Sequence, residues 1–394
     1  MNILIAGAGI AGPTLAYWLL RAGHEPTLVE RAPHLREGGY VVDFWGTGFD
    51  VAERMGIVPR LMDEGYHVRE MREVSRTGRR IAHLDPVRVI EGAAGGRYVT
   101  VGRSDLSRAV YCALEDGAET IFGDSVRALD DDGTRVRVRF ESGAEREFDL
   151  VVGADGLHSR IRSLSFGPEK QFERSLGITV AAFDLEGFRP REELIAVTHT
   201  EVGAQMLRLA LHDDATMFCF IFRHEGDVPI DDVAEQQSLL RRRLHGMGGE
   251  VPGVLEQMPR ARTFYMDRAS QIRMPQWSKG RVALIGDAAA CPSLLAGQGS
   301  ALAMVEAYVL ACALHETEGD HRAAFGAYED RLKWVVGDKQ DAAIGLGSAF
   351  APRNRAQLWL RTAVIALMGV PLVSRLAMGR SLRDPIELPP APTG

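Results

Sequence analysis

The chain is poor in the features that would tie it to a metal, a disulfide framework, a membrane or a nucleic acid. Its four cysteines, Cys112, Cys219, Cys291 and Cys312, show no C-x-x-C spacing, so neither a zinc site nor a disulfide scaffold is expected. None of the 11 histidines forms H-E-x-x-H or a similar ligand pair, which removes the common helical metal motif. Positive charge is in deficit: 46 Lys+Arg against 53 Asp+Glu leave a net charge of -7, whereas a phosphate backbone calls for a basic face. The one basic run, Arg241-Arg242-Arg243, follows a cap at Asp231 or Asp232 and ends an amphipathic helix, where cations complement the dipole. Long apolar runs are missing too. Thr362 to Ser374 is strongly apolar, yet Pro371 breaks it and Arg361 and Arg375 bound it, short of the roughly 20 residues that span a bilayer. It reads as a helix packed across two domains, with no membrane partner expected. The first strand begins by Ile3, which leaves no space for a signal peptide, so the expected location is cytoplasmic.

What is present begins at the N-terminus. A length of 394 residues exceeds the size at which single cores stop growing, so two domains are expected, and 25% charged residues suits a globular enzyme. The run from Ile3 to Glu30 reads as strand, glycine turn, helix and strand, with Gly7, Gly9 and Gly12 in G-x-G-x-x-G spacing around Ala11. Gly7 permits the tight turn, Gly9 lets backbone approach a pyrophosphate, and Gly12 lets helix and strand pack closely. Glu30 ends the second strand, placed to accept hydrogen bonds from a ribose hydroxyl. This fingerprint fits FAD and NAD equally.

A second segment separates them. Val282 to Ile285 is an apolar strand ending in Gly286-Asp287, and Gly297-Gln298-Gly299 then opens a long apolar helix from Ser300 to about His315. A helix N-terminus offers free N–H groups and the positive end of the dipole. That suits the N1/C2 carbonyl edge of a flavin, while Asp287 is placed for the hydroxyls of a ribityl chain.

With GAGIAG at Gly7 to Gly12, GADGLHSRIR at Gly153 to Arg162, and GDAA with GQG at Gly286 to Gly299, the chain resembles the FAD-dependent monooxygenases of the para-hydroxybenzoate hydroxylase type. These include aromatic-polyketide hydroxylases and tetracycline-inactivating oxygenases. The resemblance covers nearly the whole chain. It implies that Asp155 and Gly156 lie near FAD on the nicotinamide side, that Arg103 contacts FAD, and that Arg31 sits beside the adenosine. It also implies a reaction: NADPH or NADH reduces FAD, dioxygen gives a C4a-hydroperoxide, and one oxygen atom passes to an aromatic or polyketide-like substrate. No second G-x-G-x-x-G is present, so the nicotinamide is a transient reductant, and nothing in the chain specifies NADH over NADPH or an oligomeric state.

The implied fold class is α/β: a discontinuous Rossmann-like FAD-binding domain of the GR2 type, a smaller antiparallel β-sheet substrate domain and a C-terminal bridging helix. Residues 1–72, 97–170 and 270–340 are assigned to the first. Residues 73–96 and 173–269 form the second, including a hairpin between Val68 and Leu84 that turns at Thr77-Gly78. Residues 341–394 supply the helix and a Pro-rich tail. Ser104 is expected to cap a helix running to Glu115.

The chemistry rests on the cofactor, so no triad is expected. Candidate pocket residues are Asp43 and Trp45 in VDFWGTG, and Arg223 at the end of TMFCFIFR, with core packing for Trp45 and Phe44 and a surface ion pair for Arg223 as the competing readings. In Glu37-Gly38-Gly39-Tyr40, backbone freedom at the glycines suits a loop that lines the flavin. Asp155 has a rival reading as the cap of a helix starting near Ser159. One segment departs from the family: relatives commonly have a histidine after GDAA and one or two prolines before the glycine run, whereas Ala290, Cys291, Pro292, Ser293 and Leu294 stand here. That departure keeps a reductase or dehydrogenase of the same fold as the alternative. A non-catalytic FAD-holding protein is a third class. Cys291, with no partner thiol, reads as packing.

Overall fold

The computed structural model describes residues 1–36, 38–86, 96–229, 232–368 and 386–392. Asp231, Glu37, Pro371, Ser374 and Arg375, named above, lie outside them.

Apolar strand β1 (Asn2–Ala6) leads into α1 (Ala11–Arg21) and β2 (Glu25–Glu30), as the fingerprint requires. Next come β3 (Val41–Trp45), α2 (Thr47–Arg54), α3 (Val58–Glu64) and the hairpin β4 (Glu70–Val74) and β5 (Arg80–Leu84). After β6 (Tyr98–Gly102), α4 runs over Arg103–Cys112. Its cap position is Gly102, and Ser104 lies within the helix, so the expected Ser104 cap is corrected. Strands β7 (Glu119–Phe122), β8 (Val126–Asp131), β9 (Val136–Phe140) and β10 (Glu145–Phe148) precede β11 (Leu150–Gly153) and α5 (Arg160–Ser165).

The middle of the chain forms β12 (Glu173–Glu186), β13 (Ile195–Glu201), β14 (Ala204–Ala210) and β15 (Ala215–Arg223). Helices α6 (Val233–Leu244) and α7 (Val251–Gln257) and strand β16 (Phe264–Ile272) follow. Asp232 caps α6, and the three arginines lie in its last turn. The last third contains β17 (Ser278–Lys279), β18 (Val282–Leu284), α8 (Asp287–Ala290), α9 (Gly299–Glu316), α10 (His321–Phe350) and α11 (Arg355–Met368).

A six-stranded sheet, ordered β17-β18-β11-β1-β2-β7, is parallel except at its β17 edge. Its central strands β1, β11 and β18 are buried on both faces because helices cover them. Helix α9 is buried all round from Ala301 to Leu314, which explains why it lacks an amphipathic stripe. Gly48 of α2 lets the two helices meet: a Cβ there would lie 2.5 Å from Ala301 Cβ.

The seven-stranded sheet is ordered β16-β12-β15-β14-β13-β4-β5. It is antiparallel apart from one parallel pair, β13 with β4, so the hairpin at 70–84 joins it. Alternation sorts its side chains. Phe218, Phe220 and Phe222 of β15 pack with Leu240 and Val254 of α6 and α7, whereas Met217, Cys219 and Ile221 face the other way. Helix α10 is continuous across residue 340, where a boundary was expected. The tail also packs: Pro389 O accepts from Tyr308 Oη at 2.7 Å and Arg54 at 2.7 Å. No described helix is long and apolar enough to cross a membrane.

Candidate functional site

The glycines of the first turn divide into two kinds. Gly7 has φ +107°, and a Cβ there would lie 2.4 Å from the Ala154 carbonyl oxygen; at Gly12 a Cβ would lie 1.9 Å from the Gly7 oxygen. Both are fixed by close backbone approach. At Gly9, by contrast, no protein atom lies within 4 Å of the Cβ position. The turn is open on that side, toward the N-terminus of α1. Glu30 accepts from the backbone N–H of Ala8 and of Ala32, each at 2.9 Å on a different carboxylate oxygen, which leaves lone pairs for further donors. Arg31 is exposed beside it, and Ala11 is buried against Gly286.

The GADGLHSRIR segment builds a cap and a tether. Asp155 accepts from the Ser159 hydroxyl and from the N–H groups of Arg160 (2.7 Å) and Ile161 (3.1 Å). Its rival reading as a helix cap is therefore real, and burial holds its carboxyl above the usual range. Gly156 has φ +82° with open space at its Cβ position. Arg162 is fully buried and donates to the carbonyls of Leu157 (2.6 Å) and Ala288 (3.1 Å) and to Glu169 (2.7 Å). His158 bridges Glu169 at 3.0 Å and Asp267 of β16 at 3.1 Å. Hydrogen bonds to Asp267, then Glu169, raise its pKa to about 10, so it is a cation joining the two halves of the fold.

Behind Gly286-Asp287 stands an ionisable group that sequence reasoning missed. Gly286 (φ +61°) donates its N–H to Glu306 of α9 at 2.6 Å, and the Tyr328 hydroxyl lies 3.2 Å from the same oxygen. Burial raises the Glu306 pKa to about 8. Asp287 Oδ1 is 3.7 Å from the Cβ position of Gly299, so the aspartate and the start of α9 adjoin. Gly297 takes the left-handed conformation (φ +66°), and Gln298 precedes the helix without a side-chain cap.

The divergent Ala290 to Leu294 loop is clamped from behind. Buried Gln271 donates to the carbonyls of Pro292 (3.2 Å) and Gln340, and Gln340 donates to those of Ile272 (2.7 Å) and Cys291 (3.2 Å). Ser293 sits at φ 93°, strained for a residue with a side chain. Cys291 is buried, its thiol pushed well up in pKa by desolvation, in line with packing.

Arg103 stands beside Tyr40, Tyr265 and Asp287. Its N–H donates to the Tyr40 carbonyl at 3.0 Å. Burial opposes the charge, but Tyr40, Asp287 and Tyr265 around the guanidinium more than offset this and raise its pKa. Tyr40 and Tyr265 meet with ring centroids 5.4 Å apart. Burial pushes Tyr40 to about 12 and Tyr265 well above its ordinary value, so both hydroxyls stay protonated. Among the described residues, neither hydroxyl nor the Arg103 guanidinium holds a hydrogen bond. Gly38 (φ +70°) and Gly39 (φ +108°) supply the turn that delivers Tyr40, and Thr263 closes on Gly38.

The other candidates fare differently. Asp43 accepts from Tyr98 and Thr100 hydroxyls, each at 2.7 Å. Trp45 shares its face of β3 and has the Lys339 ammonium 5.9 Å from a ring centroid, whereas Phe44 is core. Arg223 donates from Nε to the Ala351 carbonyl at 2.8 Å, which ties the sheet to the end of α10.

The residues present fit a dinucleotide flavin: an open glycine turn, separate carboxylates at Glu30 and Asp287, and a half-buried Arg103 whose guanidinium holds no hydrogen bond among the described residues. The comparisons agree. A model of the FAD binding domain family matches residues 1–331. An uncharacterized protein of Mycobacterium tuberculosis is 36% identical over 346 residues, 86% of this chain and 93% of that protein. A flavin-dependent monooxygenase of Legionella longbeachae is 31% identical over 361 residues, 90% of each. The crystal structure of tetracycline destructase Tet(55) superposes with a TM-score of 0.84 at 31% identity, over 98% of each chain. The chain therefore belongs to the FAD binding domain family and is an FAD-dependent monooxygenase.

Proposed function

We propose that this enzyme uses NADPH or NADH as reductant and inserts one atom of dioxygen into an aromatic or polycyclic small molecule. FAD, when bound, accepts hydride from the nicotinamide and activates dioxygen at its C4a carbon. The chain's own residues do the rest. Gly7, Gly9, Ala11 and Gly12 with the start of α1 would take the pyrophosphate, Glu30 and Arg31 the adenosine, and Asp287 the ribityl hydroxyls. Gln298 and Gly299 at the start of α9 would present N–H groups to the flavin's carbonyl edge, with Gly286 and Gly297 shaping the turns beside it and Arg103, Asp155 and Gly156 alongside.

The residues at 1–72, 97–170 and 270–340 would form the cofactor half, and the seven-stranded sheet the substrate half. The single observation that carries the reading is the Arg103, Tyr40 and Tyr265 cluster, whose side-chain donors hold no hydrogen bond among the described residues and lie beside Asp287. Such preorganised donors favour negative charge as it develops. The Gln271 and Gln340 clamp gives the divergent loop a fixed wall, which favours oxygen transfer over reductase chemistry. The test is turnover under labelled dioxygen with a panel of aromatic ligands shown to bind. One labelled atom in the product is expected. Reoxidation that yields only hydrogen peroxide with every bound ligand would instead establish the reductase or dehydrogenase alternative.

A further inference from the structure

Helix α11 is turned inside out. Its polar side points inward: Arg361 donates to the Ala349 carbonyl at 2.6 Å and pairs with buried Glu73 at 3.1 Å, while the Thr362 hydroxyl donates to Leu358 O at 3.0 Å. The opposite side faces solvent, and its exposed residues are all apolar: Trp359, Leu360, Ala363, Val364, Ala366 and Leu367. Helical spacing joins them into a single stripe about 12 Å long. Trp359 is 73% exposed, Leu360 57%, Leu367 56% and Val364 45%. A surface helix ordinarily shows the reverse arrangement. Apolar side chains scattered singly over a surface need no explanation, whereas a contiguous stripe marks an interaction surface.

The surrounding charge selects the partner. Over positions 342–383 the sequence holds six arginines and no Asp, Glu or Lys, although the whole chain carries a net charge of -7. Arg353 and Arg355, at the start of α11, are exposed, and among the described residues neither guanidinium has a hydrogen bond or an ion pair. Arg355 stands one turn before Trp359, at the edge of the stripe. We propose that α11 lies in the interface of an anionic phospholipid bilayer, with Trp359, Leu360, Val364 and Leu367 at the acyl boundary and Arg353 and Arg355 among the headgroups. A second copy of the chain fits less well, because stacking stripe on stripe would bring the arginines of both copies together. The net negative charge does not prevent docking, since charges more than about 8 Å from the surface are screened at physiological salt. No described helix is long and apolar enough to cross a membrane, but lying on one requires only an apolar face. The expectation of no membrane partner rested on the length of the apolar run, and this exposed face reverses it. The inference is independent of the oxygenase reading.

The experiment cosediments the FAD-loaded full chain with phosphatidylcholine vesicles, with and without phosphatidylglycerol, and follows flavin absorbance in the pellet. Binding to the anionic vesicles is expected, weakened by high salt and roughly tenfold or more weaker on the neutral ones. Arg353→Gln and Arg355→Gln should each lower it roughly fivefold. Leu360→Glu combined with Leu367→Glu should abolish it while melting temperature and FAD content stay at the wild-type level, since both side chains already face water. If that pair folds poorly, Trp359→Ser should reduce binding severalfold. No binding to anionic vesicles, equal binding to neutral ones, or binding that the leucine and tryptophan variants leave unchanged would overturn the proposal. So would a dimer in light scattering that the leucine pair dissolves while neither form binds vesicles, which would assign the stripe to a second copy.

Discussion

Glu306→Gln isolates one buried carboxyl whose protonation the fold controls. In the unfolded chain the group titrates near 4.5, whereas burial in the folded protein moves it to about 8. Its folded pKa is raised, so the folded state binds the extra proton between those values, and stability falls as pH rises from 4.5 toward 8. At ~1.4 kcal/mol per pH unit, folding at pH 7 carries a protonation cost of about 3 kcal/mol from this residue. Glutamine avoids that cost. Its carbonyl can still accept from the Gly286 N–H and the Tyr328 hydroxyl, which both reach one oxygen of Glu306. For a chain of this size the gain corresponds to roughly 3–6 °C in Tm at pH 7. The assay is thermal melting of wild type and variant at matched excess FAD, so that ligand mass action is equal. The gap should be small at pH 5.5 and widen by about 3 kcal/mol at pH 8. A gap that does not change with pH, or a variant less stable throughout, would refute the reasoning.

The glycine turn predicts opposite failures: Gly9→Val should fold and lose FAD, because its side chain meets only open space, whereas Gly12→Ala should fold poorly, because its Cβ falls 1.9 Å from the Gly7 oxygen. Circular dichroism with FAD content separates the two, and Gly9→Val retaining stoichiometric FAD would remove the pyrophosphate assignment. Asp287→Ala should weaken FAD by ~1.5–3 kcal/mol, roughly tenfold to a hundredfold, in titrations of apoprotein. For His158, raised to about 10 by Asp267 and Glu169, the ion pair's contribution is complete below 6.5 and is lost as pH rises toward 10. His158→Gln should therefore lower Tm more at pH 6 than at pH 9.5, and equal losses would mean that the tether carries no charge.

The strand-turn-helix at the N-terminus, the Gly286-Asp287 strand end and the long apolar α9 were legible in the chain because each follows from local spacing and steric demand. Gly7 and Gly12 illustrate this, since the contacts that exclude a Cβ lie within the motifs themselves or at the next motif's Ala154. Ser104 was misread as a cap because hydroxyl spacing alone does not place a helix start when the preceding glycine serves. Tertiary structure alone decided the rest. Tyr40 meets Tyr265, His158 meets Asp267, Gln271 meets Gln340 and Gly286 meets Glu306, and no spacing rule links those positions. A row of Tyr265, Ala182, Cys219 and Leu207 likewise exists only because four strands settle into one register. Periodicity says that a strand has two faces; which face turns to the cleft, and which residues stand abreast, depends on pairing between strands distant in sequence.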